Sequence, residues 1–227
     1  MPTNQPTNQP TNQPTNQPTN QPTEYVFQTD WFSHNIPSLD IIFNQLKPTR
    51  ILEIGSFEGR STLHFMEKMS EYAETIEIYC IDSWEGGLEH KENWNMDTVE
   101  QVFEHNMHLA IQQFPRTTLF KCKGYSHPKM MELLVEGKKG YFDFVYVDGS
   151  HEAPDVLLDA LLAHQLVRVG GVIAFDDYLW SPKSWNEADH YLLVKPAVDS
   201  YVNTYQRKVS VIQSLPTYQL YVVKIAE

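Results

Sequence analysis

From residue 33 to the C-terminus, apolar positions follow two alternating rhythms: short runs that are apolar nearly throughout, and longer stretches in which apolar residues return every third or fourth position. "ILEIG", "IEIYCID", "TLFKCKG", "FDFVYVD" and "VIAFDD" are of the first kind, and their length and content of branched and aromatic side chains predict buried strands. "RSTLHFMEKM", "MDTVEQVFEHNMHLAIQQF", "HPKMMELLVE" and "EAPDVLLDALLAHQLVRVGG" predict helices between them, the last with Pro154 in its first turn and glycines after its end. Ahead of them, "SLDIIFNQLKP" places Leu39, Ile42, Phe43 and Leu46 on one helical face, with Ser38 as cap and Pro48 as stop. Residues 178–195 read as a long loop and a helix follows from Pro196. "RKVSVIQ" and "YQLYVVKI" then close the chain as an antiparallel hairpin. The alternation predicts an α/β fold, a doubly wound and mostly parallel sheet of seven strands with helices on both faces.

Residues 1–23 have neither rhythm. They repeat "PTNQ" five times, and nothing apolar in the unit offsets the entropy of ordering it. A disordered tail is expected there, which leaves residues 24–227 as one domain. The tail lacks the features of a signal peptide, and no stretch approaches the roughly 20 apolar residues of a membrane span, so a cytoplasmic protein without membrane partners is expected. Seventeen Lys and Arg against 29 Asp and Glu give a net charge of −12, which argues against a nucleic acid partner. Cys80 and Cys122 lack CxxC spacing and read as reduced, buried thiols. Homo-oligomer formation is left open.

In an open parallel sheet the ligand sits beyond the carboxyl ends of the strands, beside strand one. "LEIGSFEGRS" falls there. Gly55 and Gly59 allow a tight turn and close backbone approach, and the helix after them offers free N–H groups. Asp82, closing strand two, can accept both ribose hydroxyls of an adenosine. Phe57 stands where GxGxxG requires its second glycine, so a dinucleotide is disfavoured, and the Walker lysine is missing.

"ILEIGSFEGRST", "IDSW", "FVYVDGSH" and "GGVIAFDDY", in this order, resemble the class I S-adenosylmethionine-dependent methyltransferases. The run from Val147 to Tyr178 is similar to a small-molecule O-methyltransferase branch that includes sugar-modifying enzymes. The resemblance implies S-adenosyl-L-methionine as cofactor and a small-molecule hydroxyl acceptor. It implies methionine contacts from Glu53 and Gly55, with Ser56, Gly59 and Ser61 in the same loop. It also implies a ribose contact from Asp82 and an adenine-side loop of Gly124, Tyr125 and Ser126. Ser83 and Trp84 follow Asp82, and Trp84 is a candidate to pack near adenine.

Strands four and five should be neighbours about 4.8 Å apart, so Asp148 and the pair Asp176 and Asp177 end close together. Such carboxylates raise one another's pKa unless a cation sits among them, and the oxygen donors favour Mg2+ or another divalent cation. Consecutive strand residues point to opposite faces, so Asp176 and Asp177 can both bind only where the chain has left strand geometry. His151, three residues after Asp148, has an ordinary pKa of about 6.5 that suits proton abstraction. In metal-dependent sugar O-methyltransferases a histidine so placed is thought to be the base, which implies that role for His151. The alternatives are that His151 caps the helix or packs on Tyr146, or that it is a ligand to a softer metal.

Tyr178, Trp180, Trp185 and Tyr191, with residues 83–97, are candidates to cover an acceptor. His105 and His108 lack a further zinc ligand and read as a solvated face; His64 and His164 read as helix surface or core edge. Met66, Met69, Met130 and Met131 read as packing. Three rival readings share these features: a metal-independent methyltransferase, a binding module that has lost turnover, and a cephalosporin hydroxylase-like protein.

Overall fold

The computed structural model describes residues 24–87, 94–184 and 187–227. A 3₁₀ turn (Ser33–Asn35) leads into α1 (Ile36–Leu46), β1 (Arg50–Ile54), α2 (Arg60–Ser70), β2 (Ile76–Asp82), α3 (Met96–Gln113), β3 (Thr117–Lys123) and α4 (Ser126–Val135). Then come β4 (Phe142–Val147), α5 (Ala153–Leu166), β5 (Val167–Phe175), α6 (Val194–Thr204), β6 (Val209–Val211) and β7 (Leu220–Lys224). The sheet order is β3-β2-β1-β4-β5-β7-β6. β1 to β5 run parallel, and β7 is antiparallel to both β5 and β6.

Burial explains the apolar runs. Every residue of β4 is buried, because helices cover both faces of the central strands. On one face Leu39, Phe43, Phe65 and Phe103 from α1, α2 and α3 pack against Ile51, Ile78 and Phe144. On the other, Met130, Val156, Ala160 and Val198 from α4, α5 and α6 pack against Leu52, Val145 and Ile173. The strand order reverses between β1 and β4, and their carboxyl ends therefore flank the crevice of the sheet.

Three boundaries differ from the sequence expectation. α1 begins at Ile36 with Pro37 in its first turn, so Ser38 lies inside the helix, and Lys47, at φ 49°, ends it. Helix α6 starts at Val194, with Pro196 in its first turn. More substantially, "VRVGG" is strand rather than helix end: Val167 pairs with Phe142, and the register then shifts before Phe144 pairs with Val172. Gly171 permits this, since a Cβ there would stand 2.7 Å from Val167 Cγ2 and 2.8 Å from the Asp143 carbonyl oxygen.

Cys80 is buried and Cys122 half-buried, both as free thiols. Met66, Met69 and Met130 are buried, whereas Met131 is exposed. Among the described residues no helix is long and apolar enough to cross a membrane.

Candidate active site at the carboxyl ends of the strands

β1 delivers the chain to Gly55 at φ 84°, where a Cβ would lie 1.8 Å from the Asp148 carbonyl oxygen. Only glycine fits against that neighbour, and the loop after β1 thus rests directly on the turn after β4. Gly59, at φ 82°, opens α2 without a side-chain cap. Beneath the loop, the fully buried Glu53 carboxylate accepts from Ser56 Oγ at 2.7 Å, Ser61 Oγ at 2.5 Å, Thr62 Oγ1 and, more weakly, the Cys80 thiol. Burial raises its pKa, and the hydroxyl donors work against that rise. Glu53, Ser56 and Ser61, expected as cofactor contacts, hydrogen-bond to one another and brace the loop from inside.

Asp82 is engaged in a similar way. Its Oδ2 accepts from the backbone N–H of Ser56 and of Phe57, both at 2.9 Å, and its Oδ1 from that of Trp84 at 2.7 Å. Trp84 is 3% exposed, donates Nε1–H to the Phe57 carbonyl at 3.0 Å and packs on Phe103 at 4.8 Å. It therefore belongs to the core under the loop and is not an open adenine platform. Ser83 Oγ accepts from the Glu85 N–H at 3.2 Å. Gly124 donates to the Asp82 carbonyl at 2.8 Å, Tyr125 is exposed with its hydroxyl on Glu85, and Ser126 begins α4. These residues form the β2–β3 side of the rim.

An N-terminal strap crosses the same loop. The buried Asn106 of α3 exchanges hydrogen bonds with the backbone of Val26 at 2.8 and 2.7 Å and donates to the Glu58 carbonyl at 2.9 Å. Gln28 N–H donates to Glu58 Oε2 at 2.9 Å, and Trp31, Phe57 and Trp94 meet ring to ring within 5.8 Å. This contact was not foreseeable, because Asn106 reads as one polar residue on an amphipathic helix.

On the β4–β5 side, Asp148, His151 and Asp177 each bring one ligand-type atom within 4.8 Å of the others. His151 Nε2 lies 3.1 Å from Asp177 Oδ2, and the His151 ring stands 4.5 Å from that of Trp180. Asp177 has left strand geometry, at φ 53°, which swings its carboxylate toward His151. Its other oxygen accepts from the Tyr218 hydroxyl at 3.1 Å.

Asp176, expected beside it as a ligand, is instead only 7% exposed and held by other groups. It accepts from Asn35 Nδ2 at 3.0 Å, Gln219 Nε2 at 3.0 Å, the Asp177 N–H at 2.8 Å and the Tyr146 hydroxyl. Withdrawal from water pushes the Asp148 carboxyl well above the carboxylate range, with the Asp176 and Asp177 charges adding to it. Asp176 is raised by burial first and by Asp177 second, against the donors from Tyr146 and Gln219. Asn35, Tyr218 and Gln219 carried no sequence signal; Tyr146 shares a strand face with Asp148 and was visible only as packing.

Of the other candidates, Trp180 packs against His151 with the two rings tilted by 40°. Tyr178 donates to Asp199 at 2.7 Å and Tyr191 to Glu152 at 2.8 Å, while Trp185 and residues 88–93 lie outside the described residues. His105 contacts the Glu24 carbonyl and the exposed His108 pairs with Gln112. His64 and His164 are buried rather than at the surface; His164 Nδ1 is 2.9 Å from the Tyr201 hydroxyl.

A seven-stranded sheet of this order, carrying a glycine loop after β1 and acidic residues at the end of β2 and just after β4 and β5, is the class I methyltransferase fold. Residues 52–178 match the methyltransferase domain family, and the chain belongs to it. Residues 1–25 match the PT disordered repeat. Among similar proteins, the "Probable caffeoyl-CoA O-methyltransferase 3" of Dictyostelium discoideum is 24% identical over 140 residues, covering 62% of this chain and 48% of that protein. "Uncharacterized protein R132" of Acanthamoeba polyphaga mimivirus is 30% identical over 155 residues, 66% of this chain and 58% of that one. The chain thus spans about half the length of these curated relatives. An O-methyltransferase from Bacillus cereus solved in complex with SAH has the same fold, with TM-score 0.62, 17% identity and coverage of 86% and 83% of the two chains.

Proposed function

We propose that this chain transfers the methyl group of S-adenosylmethionine to a hydroxyl of a small molecule, with a divalent cation held by Asp148 and Asp177 and with His151 taking the hydroxyl proton. The observation that carries this reading is the convergence of Asp148, His151 and Asp177 directly against the Gly55 loop. The loop suits the cofactor: its backbone lies open to close approach at Gly55 and Gly59, and α2 begins there with uncapped N–H groups for a carboxylate. The donor set suits a cation, because the charges that act most strongly on Asp148 are all acidic, namely Asp176, Asp177, Glu53 and Asp82. Two carboxylates offering oxygen donors match Mg2+ or Mn2+, and His151 is left as the base.

When bound, the cation supplies charge that makes a coordinated hydroxyl more acidic. His151 would take the proton, and Asp177, whose Oδ2 lies 3.1 Å from Nε2, would stabilise the imidazolium that forms. The hydroxyl oxygen forms its bond to the methyl carbon in line as the carbon–sulfur bond breaks, and the sulfur leaves with the electron pair as S-adenosylhomocysteine. Trp180, packed at a tilt against His151, holds the imidazole and offers an aromatic wall to the acceptor.

The existing His151–Asp177 contact also favours a second reading, in which the pair acts as base without a cation. Incubation with S-adenosylmethionine and a panel of sugars, catechols and phenols, with Mg2+ or with EDTA, and detection of product by mass spectrometry separates the two. Product that disappears with EDTA supports the cation, and product indifferent to EDTA supports the unaided pair. Failure to bind S-adenosylmethionine in calorimetry would end the methyltransferase reading.

A further inference from the structure

Asp176 and Asp177 are adjacent in sequence, yet the structure gives them different surroundings, in which two remote segments take part. From the lead-in to β7, Tyr218 donates to Asp177 and Gln219 to Asp176. From the 3₁₀ turn before α1, Asn35 donates to Asp176, while the His34 ring meets the Tyr218 ring edge-on at 5.1 Å. Gln219 also donates to the Tyr146 hydroxyl at 3.1 Å. Asp176 is thereby wrapped by neutral donors and turned into the protein. Asp177, at φ 53°, is turned outward with one oxygen toward His151 and the other on Tyr218. The Leu179 N–H donates to the Tyr218 carbonyl at 3.3 Å, so side chain and backbone of Tyr218 hold the same turn.

We infer that Tyr218 is the positioning residue of the candidate centre: it fixes Asp177 as the outward carboxylate, while Gln219 and Asn35 assign Asp176 to the structure. This rests on the cation reading above. A carboxylate left free to rotate presents its oxygens in many directions, and removing an outer hydrogen bond to a metal ligand typically weakens metal affinity about 10- to 100-fold. The phenol is suited to this, because it donates to one oxygen and leaves the other for the centre. Exposure of 37% means that Tyr218→Phe removes a hydroxyl without opening the core.

The test uses the full chain and Mn2+ alone, titrated by calorimetry into wild type, Tyr218→Phe and Gln219→Leu, with thermal unfolding of each as control. Tyr218→Phe is expected to raise the Mn2+ dissociation constant at least about tenfold and to leave Tm near wild type. Gln219→Leu is expected to lower Tm and to keep Mn2+ affinity within about twofold, as Asp176 is not a ligand in this assignment. Wild-type affinity in Tyr218→Phe overturns the role of Tyr218, and so does an equal loss in both variants, which would make Asp176 a ligand too. Wild type that binds no Mn2+ overturns the cation reading itself and the inference with it, an outcome distinct from either of these.

Discussion

Near the start of β4, Asp143 sits under Arg168, whose Nε donates at 2.7 Å, and also accepts from the N–H of Thr49 at 2.9 Å and of Arg50 at 3.0 Å. Just past the other end, Asp148 faces Asp176 and Asp177, and neighbouring charges add to the burial cost. Burial opposes ionisation at Asp143 as well, yet Arg168 and the two N–H groups outweigh it and hold that carboxyl below its ordinary value. One strand thus carries a carboxylate satisfied for stability and another left under electrostatic tension. A fold has no structural need for the second, whereas a site that must receive a cation or a proton does.

The largest expected effect tests that division at its functional end. Asp148→Asn should lower methyl transfer at least about 100-fold, while thermal unfolding shows Tm unchanged or higher, since a repelling charge has gone. A clear drop in Tm would mean that Asp148 is held by the structure, as Asp143 is. Next, Asp143→Asn should cost about 2 kcal/mol, or roughly 4–8 °C in Tm, with turnover per folded molecule unchanged.

A smaller effect compares the histidines flanking and ending α5. His151 stands just before the helix; His164, in its last turn, is pushed down to about 4 by burial and then by Lys224. A depressed histidine favours the neutral form in the folded state, so its contribution is complete above the ordinary 6.5 and is lost as pH falls toward about 4. Urea unfolding should therefore lose on the order of 1–2 kcal/mol from this group across that window, and His164→Gln should flatten the slope. The carboxyls at the two ends of β4 bend the profile oppositely. Asp143 contributes above the ordinary 3.8 and loses its contribution as pH falls through its depressed value. Protonated Asp148 and Asp176 contribute most below 3.8 and lose it as pH rises through their raised values. The smallest effect is that excess Mg2+ should raise wild-type Tm by about 1–3 °C and leave that of Asp177→Asn unchanged.

Much of the fold was legible because its information is local. Apolar runs became strands because helices cover both faces, and "EIGSFEG" declared a turn because Gly55 and Gly59 take positive φ. The exception, "VRVGG", needed the Asp143–Arg168 pairing and the β4–β5 register shift, both non-local. At the site, the three-residue spacing of Asp148 and His151 could be read directly. The sorting of Asp176 from Asp177 could not, since Asn35 lies 141 residues from Asp176 in sequence and Gln219 lies 43 away. Nor could the surroundings of Glu53 be read in advance: three nearby hydroxyls, from Ser56, Ser61 and Thr62, donate to its carboxylate beneath the loop.

Gly55 has no side chain, and the Asp148 carbonyl occupies the space one would fill. The partition between the two halves of the cleft is thus a single thickness of backbone, with no slack to absorb movement. A ligand that displaces residues 55–59 must carry the Asp148 turn with it. In the proposed reading, that main-chain contact between Gly55 and Asp148 is what joins the cofactor half of the cleft to the cation half.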